Sequence, residues 1–195
     1  MVTKANTPSI ADSTRSRIVE AATLQFAAQG IAGARIERIA KEAATSKERV
    51  YAYFRSKEDL YAHIMERELA LIMDATHLDA QDMPGYAGQL FDYFKQNPNH
   101  FRLLSWGRME AAATVTLDAT LRAQIQRKFD SIKLAQAEGH IDAFWNPLDV
   151  LALVNQIAVT YFSQLEIAAM RAQGKSALQR AAVVEAVRRI FPKRV

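Results

Sequence analysis

The sequence predicts an all-α protein. Apolar residues recur three and four positions apart along most of the 195 residues, which is the spacing of one helix face. The breaks carry residues that start or stop helices, such as the Asn-Pro pairs at 97–98 and 146–147. No segment shows a convincing strand pattern, and no long internal repeat occurs. We therefore expect N-terminal helices followed by a larger helical body.

The composition favours a folded protein of a reducing compartment. Half of the residues are hydrophobic, which is enough for a sizeable core. The absence of cysteine excludes disulfides and thiolate metal sites. Residues 1–12 lack the apolar stretch of a signal peptide, so we expect them to form a flexible arm of a cytoplasmic protein.

The formal net charge of +4 is divided unevenly along the chain. Residues 1–57 contain 10 Lys and Arg against 5 Asp and Glu, whereas residues 58–170 contain 8 against 15. The last 25 residues are basic again, with 7 against 1. A basic N-terminal part suits a polyanion and an acidic middle does not. The basic tail is either a second contact or a solvated helix end.

The N-terminal part divides into short helices. Gly30 suits the left-handed position that follows a helix. Thr45 and Glu48 have the spacing of a capping box, and Ser56 with Asp59 provides a second cap. The predicted helices are 13–29, 36–43, 46–54 and a long helix from the second cap to about residue 77.

The C-terminal part contains five further predicted helices. Residues 79–88 include Pro84, Gly85 and Gly88 and are the best linker candidate. The segment from Pro147 is apolar nearly all round, but Asn155, Gln156, Gln164 and Glu166 interrupt it, so we predict a helix buried on two sides and no membrane span. The predicted helices are 86–96, 98–112, 116–138, 147–172 and 176–190, of which the last two are the expected homodimer surface.

Residues 36–54 have the organisation of a helix-turn-helix, in which a short break separates two helices. Val50 and Phe54 lie four apart and are expected to anchor the third helix to the core. Lysine and arginine can donate to guanine edges or phosphates, and tyrosine hydroxyls suit phosphate oxygens. The residues left for double-stranded DNA are Ser46, Lys47, Arg49, Tyr51 and Tyr53, together with Lys57 at the start of the long helix. For each of these residues, the alternative to DNA contact is a side chain that packs against the protein or lies on the surface without a partner.

Five short motifs lie within residues 14 to 65: Phe26-Ala27-Ala28-Gln29-Gly30, Ile39-Ala40-Lys41-Glu42-Ala43, Ser46-Lys47, Val50-Tyr51-Ala52-Tyr53-Phe54 and Ser56-Lys57-Glu58-Asp59-Leu60. By these motifs the segment resembles the tetracycline-repressor (TetR) family of bacterial regulators. It implies a homodimer whose third helix reads the major groove and whose C-terminal domain binds a ligand. By position, Tyr51, Tyr53 and Lys57 match family phosphate contacts, whereas Lys47 and Arg49 fall where base readers vary.

Two positions depart from the family pattern. Ala44 stands where the family usually has a glycine in the turn. A left-handed alanine costs about 1 kcal/mol, so a turn of different geometry is the alternative to the family's left-handed turn. Arg35 replaces a usual threonine at the start of the second helix, where it offers a longer-reaching phosphate or minor-groove contact.

The domain boundaries follow from these assignments. We expect a flexible arm at 1–12, a helix-turn-helix domain at 13–57 and a ligand-binding and dimerisation domain at 58–195. Aromatic residues of the larger domain either fill its core or line a pocket for a small, largely apolar ligand. The predicted ligand contacts are Trp106, Met109, Phe129, Tyr161 and Phe162.

The sequence predicts a ligand-responsive regulator rather than an enzyme. The four histidines are scattered, and no metal, cofactor or catalytic motif is recognised. The expected function is repression from a palindromic operator, relieved by the small-molecule effector. The alternative is a small-molecule-binding helical protein or enzyme that does not regulate through DNA.

Overall fold

A computed structural model describes residues 10–110, 119–164 and 176–192 of the protein. These residues form α1 (Ile10–Gly33), α2 (Ile36–Glu42), α3 (Lys47–Tyr53), α4 (Lys57–Ala75), α5 (Met83–Gln96), α6 (Pro98–Met109), α7 (Ala119–Ala137), α8 (Pro147–Ala158), α9 (Thr160–Ser163) and α10 (Ser176–Ile190). The predicted all-α class is confirmed. Within the described ranges, no helix is both long enough and apolar enough to cross a membrane.

The described residues divide into two compact units. The first unit contains residues 10–67 and 99–110, and the second contains residues 68–98, 119–164 and 176–192. The division therefore falls within α4, and most of α6 belongs to the first unit. The sequence instead predicts a single domain boundary after residue 57, with α6 entirely in the second domain. That boundary stays a prediction.

The core of the first unit joins α1, α2, α3, the start of α4 and α6. Phe26 of α1 and Tyr61 of α4 are buried and meet edge to face, with ring centroids 5.2 Å apart. The Tyr61 hydroxyl donates to the backbone oxygen of Leu103 in α6 at 2.8 Å. Burial raises the pKa of Tyr61 to about 12, so this hydroxyl stays a hydrogen-bond donor. The aromatic pair and its hydrogen bond thus join three helices.

Helix α1 begins at Ile10 and is interrupted at Gly30. The sequence predicted a start at Ser13 and an end before Gly30. Gly30 has φ 69° and ψ −178°, and a helical turn continues beyond it to Gly33. A side chain at Gly30 would be strained by its φ and would lie 2.9 Å from the Trp106 ring. Glycine is therefore needed for the kink, although it does not end the helix completely.

The predicted linker at 79–88 is wrong at its C-terminal half. The segment between α4 and α5 is residues 76–82, and Pro84, Gly85 and Gly88 all lie within α5. Asp82 caps α5 by accepting from the Gly85 backbone nitrogen at 3.0 Å, and proline is tolerated in a first helical turn. Proline and glycine here mark a helix start rather than a loop.

In the second unit, α5 packs against α8 and α10, and α8 also contacts α7 and α10. Gly88 lets the backbone of α5 approach α10, since a Cβ there would lie 2.7 Å from the Arg180 guanidinium. Arg180 also pairs with Asp92 at 2.7 Å. Helix α10 has the bounds that the sequence predicted, 176–190.

The predicted helix at 147–172 is interrupted within its described part. Asn146 caps α8 by accepting from the Leu148 nitrogen at 2.9 Å, as its Asn-Pro signal predicts. Helix α8 ends at Ala158, however, and Val159 separates it from the single turn of α9. Residues 165–175, which include the end of the predicted helix, lie outside the described residues.

Candidate nucleic-acid interface

The turn between α2 and α3 is a tight left-handed turn centred on Ala44. Ala44 has φ 49°. The Thr45 nitrogen donates to the Ala40 oxygen at 2.9 Å, and the Ala44 nitrogen donates to the Lys41 oxygen at 3.2 Å. This pair of bonds is the Schellman arrangement, in which glycine is usual at the left-handed position. The alternative geometry considered for an alanine turn is therefore wrong, and Ala44 adopts the strained conformation.

Helix α3 is capped by Ser46 rather than by Thr45. The Ser46 hydroxyl accepts from the Arg49 nitrogen at 3.2 Å. Backbone and Ser46 hydrogen bonds hold the pKa of Glu48 below its usual value, so its charge is retained near the start of the helix. The cap predicted at Thr45 thus lies one residue later, because Thr45 is used in closing the α2 turn. The predicted capping box with Glu48 is wrong, since Arg49 occupies the third position after Ser46.

Helix α3 has one anchored face and one exposed face. Val50 and the following Phe54 are 1% and 3% exposed and belong to the core of the first unit, as predicted. Lys47, Arg49 and Tyr51 are exposed on the other face, and Tyr53 is partly buried against the core. A short helix with a free cationic face can enter a groove of DNA while its apolar face holds it to the protein.

Lys47 is already paired with a carboxylate of α2. Its Nζ lies 2.5 Å from Oε1 of Glu37, and both side chains are largely exposed. The hydrogen bond with Lys47 lowers the pKa of Glu37, and the same bond raises the pKa of Lys47. The sequence alone did not indicate this pair. It places a negative charge beside a residue predicted to contact DNA.

Arg49 and Tyr53 are joined along α3. The Arg49 guanidinium lies 5.5 Å from the centroid of the Tyr53 ring, which is within the range of a cation–π contact. Tyr51, by contrast, is 44% exposed. Tyr53, which also packs against the core, is thus more enclosed than Tyr51.

Lys57 and Arg35 lie at the edges of the helix-turn-helix. Lys57 Nζ donates to the backbone oxygens of Ala32 at 3.4 Å and Ala34 at 3.3 Å. Arg35 occupies the N-cap position of α2, is exposed and makes no side-chain cap. Lys57 therefore supports the backbone after the α1 kink. Arg35, which stands where the family usually has a capping threonine, leaves α2 without a side-chain cap.

Two basic residues of α2, Arg38 and Lys41, extend the row that begins at Arg35, and the sequence had indicated only Arg35. Arg35, Arg38 and Lys41 line an open groove of about 570 Å³ in the first unit. Their spacing of three residues was the available signal, since residues three apart share a helix face. Arg38 also pairs with Glu42 at 3.1 Å. The basic surface of the first unit thus extends from α3 onto α2.

Helix α6 holds the C-terminal end of α1 before its kink. The Arg102 Nε and the Trp106 indole nitrogen both donate to the Ala27 oxygen, at 2.8 and 3.3 Å. These donors satisfy a carbonyl that the kink at Gly30 would otherwise leave without a helical partner. Trp106, predicted as a ligand contact, therefore has a structural role in the first unit.

The remaining predicted ligand contacts are dispersed. Met109 belongs to the first unit and is 65% exposed. In the second unit, Phe162 packs on Phe91 at 5.3 Å, and the Lys133 Nζ lies 4.4 Å from the centroid of the Phe129 ring. Tyr161 is partly buried. The structure does not assign these residues to one described cavity, and their ligand role stays a prediction.

A capped three-helix arrangement, a tight turn and an exposed cationic helix define a helix-turn-helix DNA-binding protein. Residues 18–64 match the family model described as bacterial regulatory proteins, tetR family. Residues 82–189 match the model described as Tetracyclin repressor-like, C-terminal domain. The chain belongs to the TetR family of bacterial transcriptional regulators.

Relatives agree with this family. The chain is 37% identical over 149 residues to the HTH-type transcriptional repressor SCO4008 of Streptomyces coelicolor, covering 75% of this chain and 77% of that protein. The crystal structure of a candidate transcriptional regulator, SCO4942 of the same organism, is 54% identical, with a TM-score of 0.83 over 93% of this chain and 99% of that one. AibR superposes with a TM-score of 0.68 over 93% of this chain and 100% of that one, but its 14% identity shows the fold alone.

Family membership confirms the predicted class of function. The protein is a DNA-binding transcriptional regulator and not an enzyme. Regulators of this family bind operator DNA and small-molecule effectors, usually as dimers. The alternative of a helical protein or enzyme without regulatory DNA binding has no support.

Proposed function

We propose that this regulator is a repressor that binds a palindromic operator as a homodimer and is released by a small-molecule effector. The proposal rests on the burial of Val50 of α3 and of the following Phe54, while Lys47 and Arg49 of the same helix are exposed. Two such helices, one from each protomer, would occupy successive major grooves about 34–36 Å apart or somewhat more.

The proposed contacts on DNA fall into two groups. Lys47 and Arg49 are the candidates for base edges, because their cationic donors match the acceptors of guanine. The candidates for phosphate contacts are Arg35, Ser46, Tyr51, Tyr53 and Lys57. Lys57 also donates to two backbone oxygens, so its ammonium would share its three donors between the protein and a phosphate.

The relatives support the proposal that this protein represses transcription and responds to a small-molecule effector. SCO4008 and NicS of Pseudomonas putida are both described as HTH-type transcriptional repressors, and NicS is 30% identical over 120 residues, covering 58% of this chain and 57% of that protein. AibR has been solved in complex with isovaleryl coenzyme A and operator DNA. A protein of this fold can therefore hold both kinds of partner, although the AibR ligand does not carry over to this chain.

We propose that the homodimer forms through residues 147–172 and 176–190. The described part of this surface includes Leu148 and Leu153 of α8, and Ala177, Leu178 and Ala181 of α10, all of which are exposed. Helices α8 and α10 contact each other within the second unit. Two adjacent helices with exposed apolar side chains suit a self-complementary helical interface.

The effector would act by changing the separation of the two DNA-binding helices. Helix α4 contributes residues to both units, so we propose that a ligand in the second unit shifts α4. Such a ligand must bind the released state more tightly than the DNA-bound state, because equal affinity shifts no equilibrium.

The phosphate contacts are tested by the salt dependence of DNA binding. We expect Lys57→Met and Tyr53→Phe to weaken binding to every duplex, and Lys57→Met to reduce the slope of log affinity against log salt by about one unit. Matched controls are Lys133→Met and Tyr161→Phe, which alter the second unit. Unchanged affinity for all duplexes in the two test variants would reject the phosphate role.

A further inference from the structure

The second unit contains a cavity that is predominantly polar. It has a volume of about 440 Å³ and is bounded by the end of α4, the segment after it and α7. This size lies within the range of about 300–1,000 Å³ that is usual for small-ligand sites. Seven of its nine lining residues are polar or ionisable, and only Met73 and Leu78 are apolar. The lining differs from the aromatic one that the sequence suggested.

A partly buried lysine, Lys128, forms part of this lining. Lys128 Nζ donates to the Tyr86 hydroxyl oxygen at 3.0 Å and lies 4.9 Å from the centroid of the same ring. Tyr86 also hydrogen-bonds Thr76, whose own hydroxyl donates to the Ile72 backbone oxygen at 2.6 Å. Since Thr76 has used its proton, it accepts from Tyr86, and Tyr86 accepts from Lys128. The chain of hydrogen bonds fixes the lysine and uses one of its three donors.

The charge of the lining is unbalanced. Among the described residues no carboxylate is paired with Lys128, and burial is the one cause of its shifted pKa. The exposed Arg127 at the adjacent position also lines the cavity. Asp79 is the one carboxylate of the lining, and its Oδ1 already accepts from the Gln81 nitrogen at 2.9 Å. The lining thus contains two cations, Lys128 and Arg127, and one carboxylate, Asp79, which leaves an excess of positive charge.

A second lining residue of α7 is also unsatisfied. The Gln124 carboxamide oxygen is buried and has no hydrogen-bond partner in the described part of the chain. A buried polar atom without a partner costs about 1–3 kcal/mol. The Gln124 oxygen is an acceptor, so it would take a hydrogen bond from an N–H or O–H elsewhere on a ligand and would not contact the ligand's anionic group. Gln124 and Lys128 are four residues apart and therefore lie on the same face of α7.

We propose that this cavity binds a small organic anion, a carboxylate or a phosphate ester, whose charged group contacts Lys128 and Arg127. An anion would use the free donors of the Lys128 ammonium and would balance the excess positive charge of the lining. Burial lowers the pKa of Lys128, which agrees with an ammonium that lacks a counter-charge. The assignment of this cavity as the effector site rests on the proposed function.

Calorimetric titration without DNA tests the binding site directly. The probes are phenyl phosphate and benzoate, with benzyl alcohol as the uncharged comparison. We expect the wild-type protein to bind at least one of the two anions at least tenfold more tightly than the alcohol, and the preferred anion tells phosphate chemistry from carboxylate chemistry. Equal binding of all three, or no saturable binding of either anion at about 10 mM, would overturn the proposal.

Variants on α7 assign the binding to the cavity. Lys128→Met and Lys128→Gln should each weaken binding of the anion by roughly tenfold or more, because a charge-assisted bond is lost. Lys133→Met removes an equal charge from the same helix at a residue outside the lining and should change the affinity less than twofold. Folding of each variant is checked by its melting temperature. An anion that binds Lys128→Met and Lys128→Gln as tightly as wild type would place the site elsewhere.

The effector role is read from a separate measurement. Adding the bound anion to a complex of wild-type protein and operator DNA should release the DNA, and Lys128→Met should need a roughly tenfold higher concentration. Binding of the anion without release would overturn the effector assignment while leaving the DNA-binding proposal intact. Failure of the protein to bind DNA at all would reject the proposed function and leave the calorimetric result standing.

Discussion

Glu110 and Ile31, which lie 79 residues apart in the sequence, are joined by a bifurcated hydrogen bond. Both carboxylate oxygens of Glu110 lie 3.1 Å from the backbone nitrogen of Ile31, immediately after the kink at Gly30. One of the oxygens also accepts from the Ala32 nitrogen at 3.3 Å. Because Lys57 binds the backbone oxygens of Ala32 and Ala34, the short turn after the kink is held from both sides by charged side chains.

We expect Glu110→Ala to loosen this turn. A hydrogen bond to a charged group contributes about 1.5–3 kcal/mol, so the Ile31 amide should lose roughly tenfold or more of its protection against hydrogen exchange. Glu110→Gln should lose less, since it keeps a neutral acceptor. Glu138→Ala, which removes an exposed carboxylate from the second unit, is the control. Unchanged exchange at Ile31 in both Glu110 variants would show that the carboxylate does not hold the turn.

We expect Glu37→Gln to strengthen DNA binding several-fold at low salt. The substitution removes a negative charge from the basic surface and frees the Lys47 ammonium from its 2.5 Å pair. The measurement is the affinity for operator and for unrelated duplexes. Glu58→Gln, an equal change of charge at the start of α4, is the control for general electrostatics.

The pair itself is tested by repeating Glu37→Gln in a Lys47→Met background. If Glu37 acts by occupying Lys47, most of the gain should disappear in the double variant. A gain of the same size with and without Lys47 would mean that Glu37 acts only through its charge.

We expect Ala44→Gly to stabilise the protein by up to about 1 kcal/mol, because glycine adopts a positive φ without the steric cost that alanine bears. The gain is partly offset by the greater freedom of glycine in the unfolded chain. Denaturant unfolding measures the change, and Ala52→Gly within α3 serves as the opposite control, since glycine destabilises a helix interior. Destabilisation by Ala44→Gly would contradict the left-handed turn.

If the proposed homodimer forms through α10, we expect Ala181→Glu to convert it into monomers. A charge on the exposed face of α10 would have to be desolvated in a self-complementary interface, where it would also meet its own copy. Light scattering measures the mass in solution. Ala123→Glu, at an exposed alanine of α7, should leave the dimer intact, and a dimer that survives Ala181→Glu would move the interface away from this part of α10.

The helical pattern and the family motifs predicted most of the helix-turn-helix domain. The periodicity gave correct bounds for α10, and the spacing of Val50 and Phe54 identified the anchored face of α3. The cap of α3 was misplaced by one residue, because Thr45 and Ser46 have equal capping chemistry and only the turn geometry decides between them. The start of α5 was misread because proline and glycine are common both in loops and in first helical turns.

The less predictable features depend on residues that are distant in the sequence. The pairing of Lys47 with Glu37 and the bond from Glu110 to Ile31 require the packed helices, which no local pattern describes. The same limit applies to the ligand site, since aromatic content alone did not separate Trp106, which binds the Ala27 oxygen, from residues facing a cavity. The polar cavity beside Lys128 likewise depends on how α4 and α7 approach each other.

The entry of α3 into the major groove is tested most directly by methylation protection of guanine N7 on the DNA that flanks the protein's own coding region. N7 lies in the major groove, so the account predicts two protected patches, related by a palindrome and separated by about 10–10.5 base pairs or somewhat more. Arg49→Ala or Lys47→Ala should remove protection at particular guanines within each patch. Tight binding that leaves every guanine N7 reactive would contradict the account.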